Sequence, residues 1–177
     1  MTTADRREGG ARPLYLVGFD FDLTLSCVRV YGRRHFDKMS ALFGGRERIA
    51  LLRTFMAFLV HHRVRIVVIS WNFEEIIHEA LTALGLVDLV HSIYDRRSMV
   101  AHGGYSLGKK NIVNELCMLS TLSKENVVFV DDDSEILANI DCKTVCVNEA
   151  AGMTLRDMQL VAAKMNLVFD PESSGNN

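Results

Sequence analysis

The sequence lacks the paired Cys-x-x-Cys spacing of a structural zinc site; its four cysteines, Cys27, Cys117, Cys142 and Cys146, fall singly in or beside apolar runs. Buried reduced thiols are the expectation, which suits a reducing compartment and a cytoplasmic location. It also lacks any apolar run near the roughly 20 residues that a membrane-spanning helix needs. The first such run, Leu14 to Phe19, ends on two carboxylates, so no membrane partner is expected. An excess of positive charge is missing too. With 20 basic and 22 acidic residues the net charge is −2, which leaves no overall field to hold a polyanion. Nucleic acid is therefore expected as a partner only through a phosphorylated end. Proline occurs twice, 49% of residues are apolar and 24% are charged, which excludes a disordered or fibrous chain. Met1 to Pro13 lacks the apolar centre of a secretory signal and reads as a loose tail, with mitochondrial targeting as the alternative.

What is present is alternation. Leu14–Phe19 is an apolar run too short for a helix and reads as a strand buried on both faces. Ile49, Leu52, Phe55, Met56 and Leu59 recur at helical spacing, and Arg65–Ile69 supplies a second strand. Phe73 to Leu84 predicts a helix stopped by a left-handed Gly85. Val90–Tyr94 suggests a short third strand, and Asp95 to Gly108, polar and without period, reads as loop. Ile112, Val113, Leu116 and Leu119 restore helix spacing. Val127–Val130 is a fourth strand, Glu135–Ile140 a helix, Thr144–Val147 a last strand and Leu155–Met165 a last helix. Strands alternating with helices predict a three-layer α/β/α, Rossmann-like fold with a central parallel sheet. One domain over 14–169 is expected, between tails at 1–13 and 170–177.

Ligands of such sheets bind beyond the carboxyl ends of the strands. There the sequence places Asp20 and Asp22, then Ser70, then Asp131, Asp132 and Asp133. Clustered carboxylates imply a cation among them, and an all-oxygen set favours Mg2+. Magnesium usually takes one or two carboxylates plus a phosphate, so a phosphorylated substrate is implied. Ser70 and a lysine of Gly108-Lys109-Lys110 could hold the other phosphoryl oxygens.

The run Asp20-Phe21-Asp22-Leu23-Thr24, Ser70 closing a strand, a lysine opening a helix and the paired acids Asp131-Asp132 resemble, in chain order, the four motifs of the haloacid dehalogenase (HAD) superfamily. The resemblance implies a phosphatase in which Asp20 forms an aspartyl-phosphate and Asp22 acts as acid and then base. Thr24 would brace the loop through its hydroxyl. Asp20, the Asp22 main-chain carbonyl and an acid of the last pair would hold the metal, with Asp132 ahead of Asp131. Asp133 is expected to be solvated or to cap a helix. Lys109 is preferred to Lys110 for phosphate because Ile112, Val113 and Leu116 follow it at offsets of three, four and seven. Trp71 and Asn72 would line the phosphate loop through their amides, Trp71 serving equally well as a packing residue. Ile136 departs from the asparagine that often follows the acids.

No cap insertion fits between the motifs. Some two dozen residues after Thr24 allow a hairpin flap at Ser26–Gly32 and a short turn, but no folded lid. The chain thus resembles the capless, magnesium-dependent branch, whose open sites suit a phosphoprotein or another large substrate. A small-metabolite phosphatase whose lid comes from another subunit, and a non-catalytic binding module of the same fold, are the alternatives. Arg29, Arg33, Arg34 and His35 in the flap could meet an anionic substrate or form a solvated connector. His61 and His62, at a helix end, are assigned no metal.

Overall fold

A computed structural model describes residues 14–31 and 36–172. The strands β1 (Tyr15–Phe19), β2 (Val64–Ile69), β3 (Ser92–Tyr94), β4 (Val127–Asp131) and β5 (Lys143–Cys146) form one sheet in the order β3-β2-β1-β4-β5. Every pairing is parallel. The helices are α1 (Phe36–Leu42), α2 (Arg46–His61), α3 (Glu74–Ala83), α4 (Arg96–Ala101), α5 (Gly104–Ser120), α6 (Ser134–Ala138) and α7 (Leu155–Lys164).

Parallel strands covered on both faces must be apolar throughout, and successive side chains must serve opposite layers. Val17, Val68, Val128 and Val130 join Leu52, Phe55, Ile77 and Val161 on one face. Leu16, Val67, Ile69 and Phe129 join Met99, Ile112, Leu116 and Ile136 on the other. Burial of Ile49, Leu52, Phe55, Met56 and Leu59 commits one stripe of α2 to the core, each side chain contributing about 1.5–3 kcal/mol before entropy is charged. Gly85 adopts the left-handed φ of 65° expected after α3. Ile136 is a core residue, so an apolar side chain at that position has a packing reason.

The loop expected over Asp95–Gly108 is instead mostly helical. Asp95 caps α4 by accepting from the Ser98 amide, and Met99 is fully buried. Gly103 and Gly104, at φ of 108° and 82°, then turn the chain into α5. A Cβ on Gly108 would lie 2.8 Å from the Met99 carbonyl oxygen, so α4 and α5 touch where only glycine fits. Packing of the six-residue α4 against the glycine-bearing start of α5 overrides the poor helix propensity of this stretch. Lys109 consequently lies within α5 and does not open it.

The described part of the expected hairpin, residues 26–31, contains no strand. Gly32, Arg33, Arg34 and His35, the 1–13 tail and positions 173–177 of the 170–177 tail lie outside the described residues. The expectation of buried thiols holds for Cys117, whereas Cys27 and Cys142 are half-buried and Cys146 is exposed; all four are unbridged. No described helix is long and apolar enough to cross a membrane.

Candidate active site

The sheet order places β1 and β4 side by side, with the chain running outward from β1 in one direction and from β4 in the other. A crevice opens at that reversal, beyond the carboxyl ends of the strands. Asp20 follows β1 and Asp131 ends β4, so residues more than a hundred apart share one crevice.

Lys109 reaches this point from the inner face of α5. Its Nζ lies 2.9 Å from Asp20 Oδ1 and 2.6 Å from Asp131 Oδ2, and all three side chains are almost fully buried. One carboxylate oxygen each of Asp20, Asp131 and Asp132 lie within 4.8 Å of one another. Three carboxylates thus face one ammonium. Burial pushes the Asp20 carboxyl up against the opposing pull of Lys109. Burial likewise raises Asp131, to about 6, with Lys109 opposing and Asp20 adding repulsion. Burial alone would lower Lys109, but Asp20 and Asp131 outweigh it and hold its pKa above the ordinary lysine value. Asp132 is half-buried and raised by burial and by Asp131.

These oxygen donors fit a hard divalent cation. No imidazole or thiolate belongs to the cluster, and the uncompensated negative charge is what such an ion would offset. The charge excess has a measurable consequence in metal-free protein. A carboxyl raised on folding favours the native state while protonated, and that contribution fades as pH rises through its folded value. Thermal stability without metal is therefore expected to fall as pH goes from about 4.5 to 7, through the value of about 6 at Asp131. Millimolar Mg2+ should flatten the decline; melting curves across pH, with Mg2+ and with EDTA, measure it.

Asp22 stands beside Asp20 with both oxygens occupied. Oδ1 accepts from the Val30 amide at 2.7 Å, and Oδ2 accepts from Asn72 Nδ2 at 3.1 Å. Burial raises its pKa, against the pull of these two donors. Asn72 is more than a lining residue. Its Nδ2 also donates to the Val30 carbonyl, its Oδ1 accepts from the Phe73 amide, and its main-chain N–H donates to Ser70 Oγ. The Asn72 amide expected to face phosphate is thus directed to Ser70, and the side chain carries the work of holding Asp22.

The loop that presents the two aspartates bends sharply. Leu23 has a φ of 62°, unusual for leucine, and Ser26 Oγ lies 3.1 Å from the Phe21 carbonyl oxygen and 2.6 Å from that of Val28. The Thr24 hydroxyl does not brace this turn. It is buried without a hydrogen-bond partner, outside the cleft, and the bracing falls to its main chain. The Thr24 carbonyl accepts from the Met153 amide and from Arg48. Arg48 donates as well to the carbonyls of Leu25, Phe43 and Met153. Nothing in the local sequence pattern marks Arg48, or the task of the Asn72 side chain, since Met153 and Asp22 are distant in the chain.

The cleft above the aspartates has a volume of about 710 Å³ and includes Ser70, Trp71, Asn72, Lys109, Asp131 and Asp132. Lys110 is not among its lining residues; one position along α5 turns its side chain away, into the field of Asp141. Asp133 caps α6 by accepting from the amides of Glu135 and Ile136. Arg29 is exposed at the rim. Trp71 packs its ring edge-on to Tyr105, centroids 5.5 Å apart, and still borders the cleft.

No protein-family model matches the chain, and no curated protein does. Solved structures do match. The N-terminal part of a Bacteroides fragilis protein, containing a phosphatase domain complexed with Mg, superposes with a TM-score of 0.60 at 15% identity; the match covers 90% of this chain and 42% of that one. The chain thus spans less than half the length of that relative. The cobalt-bound deoxy-D-mannose-octulosonate 8-phosphate phosphatase of Haemophilus influenzae gives a TM-score of 0.54 at 13% identity, over 88% of this chain and 91% of that one. At such identities the likeness establishes the fold alone: a five-stranded parallel α/β/α core shared with these two structures. Among the described residues no inserted cap domain accompanies it.

Proposed function

We propose that the chain is a magnesium-dependent phosphomonoester hydrolase working through an aspartyl-phosphate at Asp20. The observation that carries this reading is the Lys109 ammonium bridging Asp20 and Asp131 within a three-carboxylate cluster, beside an Asp22 carboxyl raised by burial. Asp20, Asp131 and Asp132, with the Asp22 main-chain carbonyl, would hold Mg2+, which when bound offsets charge on the phosphoryl group.

Asp20 attacks phosphorus through its carboxylate oxygen, and the bond from phosphorus to the leaving oxygen breaks. Asp22, protonated at the start, gives its proton to that oxygen. It then takes a proton from water, whose oxygen attacks phosphorus and releases inorganic phosphate and the Asp20 carboxylate. The raised pKa of Asp22 suits the first role, and its two fixed hydrogen bonds suit the second by orienting the carboxylate. Lys109 and the Ser70 hydroxyl bind phosphoryl oxygens. Helices and short loops, with no folded lid among the described residues, border the cleft, which supports a large substrate such as a phosphoprotein.

The test is hydrolysis of 4-nitrophenyl phosphate by purified protein. Turnover is expected with Mg2+, to disappear with EDTA and to return when Mg2+ is restored in excess. Turnover that persists in EDTA, or none with Mg2+, would overturn the reading.

A further inference from the structure

We infer that Arg96 is a specificity-determining residue that binds a second anionic group on the leaving group of the substrate, an inference that rests on the phosphatase reading above. The geometry divides the cleft into two sides. On one lie Lys109, Asp131 and Asp132, which would hold the metal and, together with Ser70, the phosphoryl oxygens. On the other lies Asp22, the acid that must reach the leaving oxygen. Asp22 is fastened to Asn72, so the leaving group departs over the loop that continues through Trp71, Asn72 and Phe73.

Arg96 belongs to that loop's immediate surroundings. Its amide donates to the Asn72 carbonyl at 2.8 Å, which fixes the start of α4 against the residue that holds Asp22. Its guanidinium carbon lies 5.2 Å from the Trp71 ring centroid and 5.6 Å from that of Phe73, and the residue borders the cleft. A guanidinium against ring faces is held in place while its N–H edges stay directed outward, the arrangement that binds a carboxylate or phosphate with little ordering cost. Arg96 makes no ion pair among the described residues. Its neighbour Arg97 does: it lies 3.0 Å from Glu75 and outside the cleft lining.

The opposite rim sharpens the choice. Asp132, Asp133, Glu135 and Glu149 line the cleft there and would repel a second anion. A leaving group with an added negative charge is thus directed away from that rim; of the two arginines that line the cleft, Arg96 adjoins the loop that holds Asp22, whereas Arg29 is exposed and lies in the field of Asp132. The ligand chemistry is an anion, from a carboxylate or from a second phosphoryl group.

The experiment measures binding without turnover. Calorimetry with Mg2+ present compares phenylphosphonate, 4-carboxyphenylphosphonate and 1,4-phenylenediphosphonate on the wild type and on Arg96→Gln, Arg96→Lys and Arg97→Gln. At least one of the two ligands with a second anionic group should bind the wild type about ten-fold more tightly than phenylphosphonate, and the tighter one identifies the source of the anion. The preference should vanish in Arg96→Gln and survive in Arg96→Lys and Arg97→Gln. Equal affinities in the wild type, or a preference kept in Arg96→Gln or lost equally in Arg97→Gln, would overturn this inference while Mg2+-dependent binding of phenylphosphonate left the phosphatase reading standing. If none of the three ligands binds in a Mg2+-dependent way, both readings fail together.

Discussion

Asp20→Asn protein should hydrolyse 4-nitrophenyl phosphate three to six orders of magnitude more slowly than the wild type, a range set by removal of nucleophiles elsewhere. An amide nitrogen or oxygen is a poor nucleophile towards phosphorus, and the neighbouring acids have other tasks: Asp22 is oriented by Val30 and Asn72 for proton transfer, and Asp131 belongs with Asp132 to the proposed metal set. The substitution keeps the side chain's shape and removes one of three mutually repelling acids, so the fold should survive and the metal-free melting temperature should not fall. Beryllium fluoride separates chemistry from binding. A crystal of the wild type with Mg2+ should carry a beryllofluoride on the Asp20 carboxylate, and the variant should carry none. Comparable turnover by the two proteins would remove Asp20 from its role.

Lys109→Met should be the single change most damaging to stability, and it should lower activity as well. The ammonium is the only cation within ion-pair distance of Asp20 and Asp131 among the described residues, and both acids are buried. Removing one member of such a pair leaves uncompensated buried charge, at a cost of about 3–5 kcal/mol. The loss should be greatest at neutral pH and should shrink towards pH 5, where Asp131, already raised to about 6 and no longer held down by lysine, takes up a proton. Urea denaturation at pH 5 and pH 7.5 without metal tests this. Equal destabilisation at the two pH values would mean that packing of the lysine stem, not charge, is what α5 contributes here.

The central strands were legible because buried parallel strands must be apolar runs, as residues 16–19, 66–69 and 127–130 are; the edge strand β5, only partly buried, carries a shorter run. The acids were legible for the converse reason: a charge at the end of such a run has nowhere to lie except the crevice. Lys109 could be preferred to Lys110 from helix phase alone, since Ile112, Val113 and Leu116 fix the inward face, and that is the face Lys109 shares. Helix α4 was hidden because its short, polar stretch is stabilised by the Asp95 cap and by contact with Gly108, neither of which has a period. The tasks of Asn72 and Arg48 were hidden because their partners are Asp22, fifty residues earlier, and Met153, over a hundred later. Thr24 misled for the opposite reason: a motif position suggested a hydroxyl's task where the structure uses a main-chain carbonyl.

Arg48 also sets how much of the chain the chemistry needs. Every side chain proposed to touch phosphate or metal has been supplied by Asp132, yet the turn bearing Asp20 and Asp22 is fastened from behind by the segment between β5 and α7. The Met153 amide meets the Thr24 carbonyl there, and Gly152, at φ of 62°, leaves no room for a Cβ between Arg48 and the carbonyls of Thr24 and Ser26. The catalytic turn is thus a knot whose last loop is tied some twenty residues after the final acid. The smallest piece of this chain that can hold its nucleophile in place is accordingly longer than the span of its motifs.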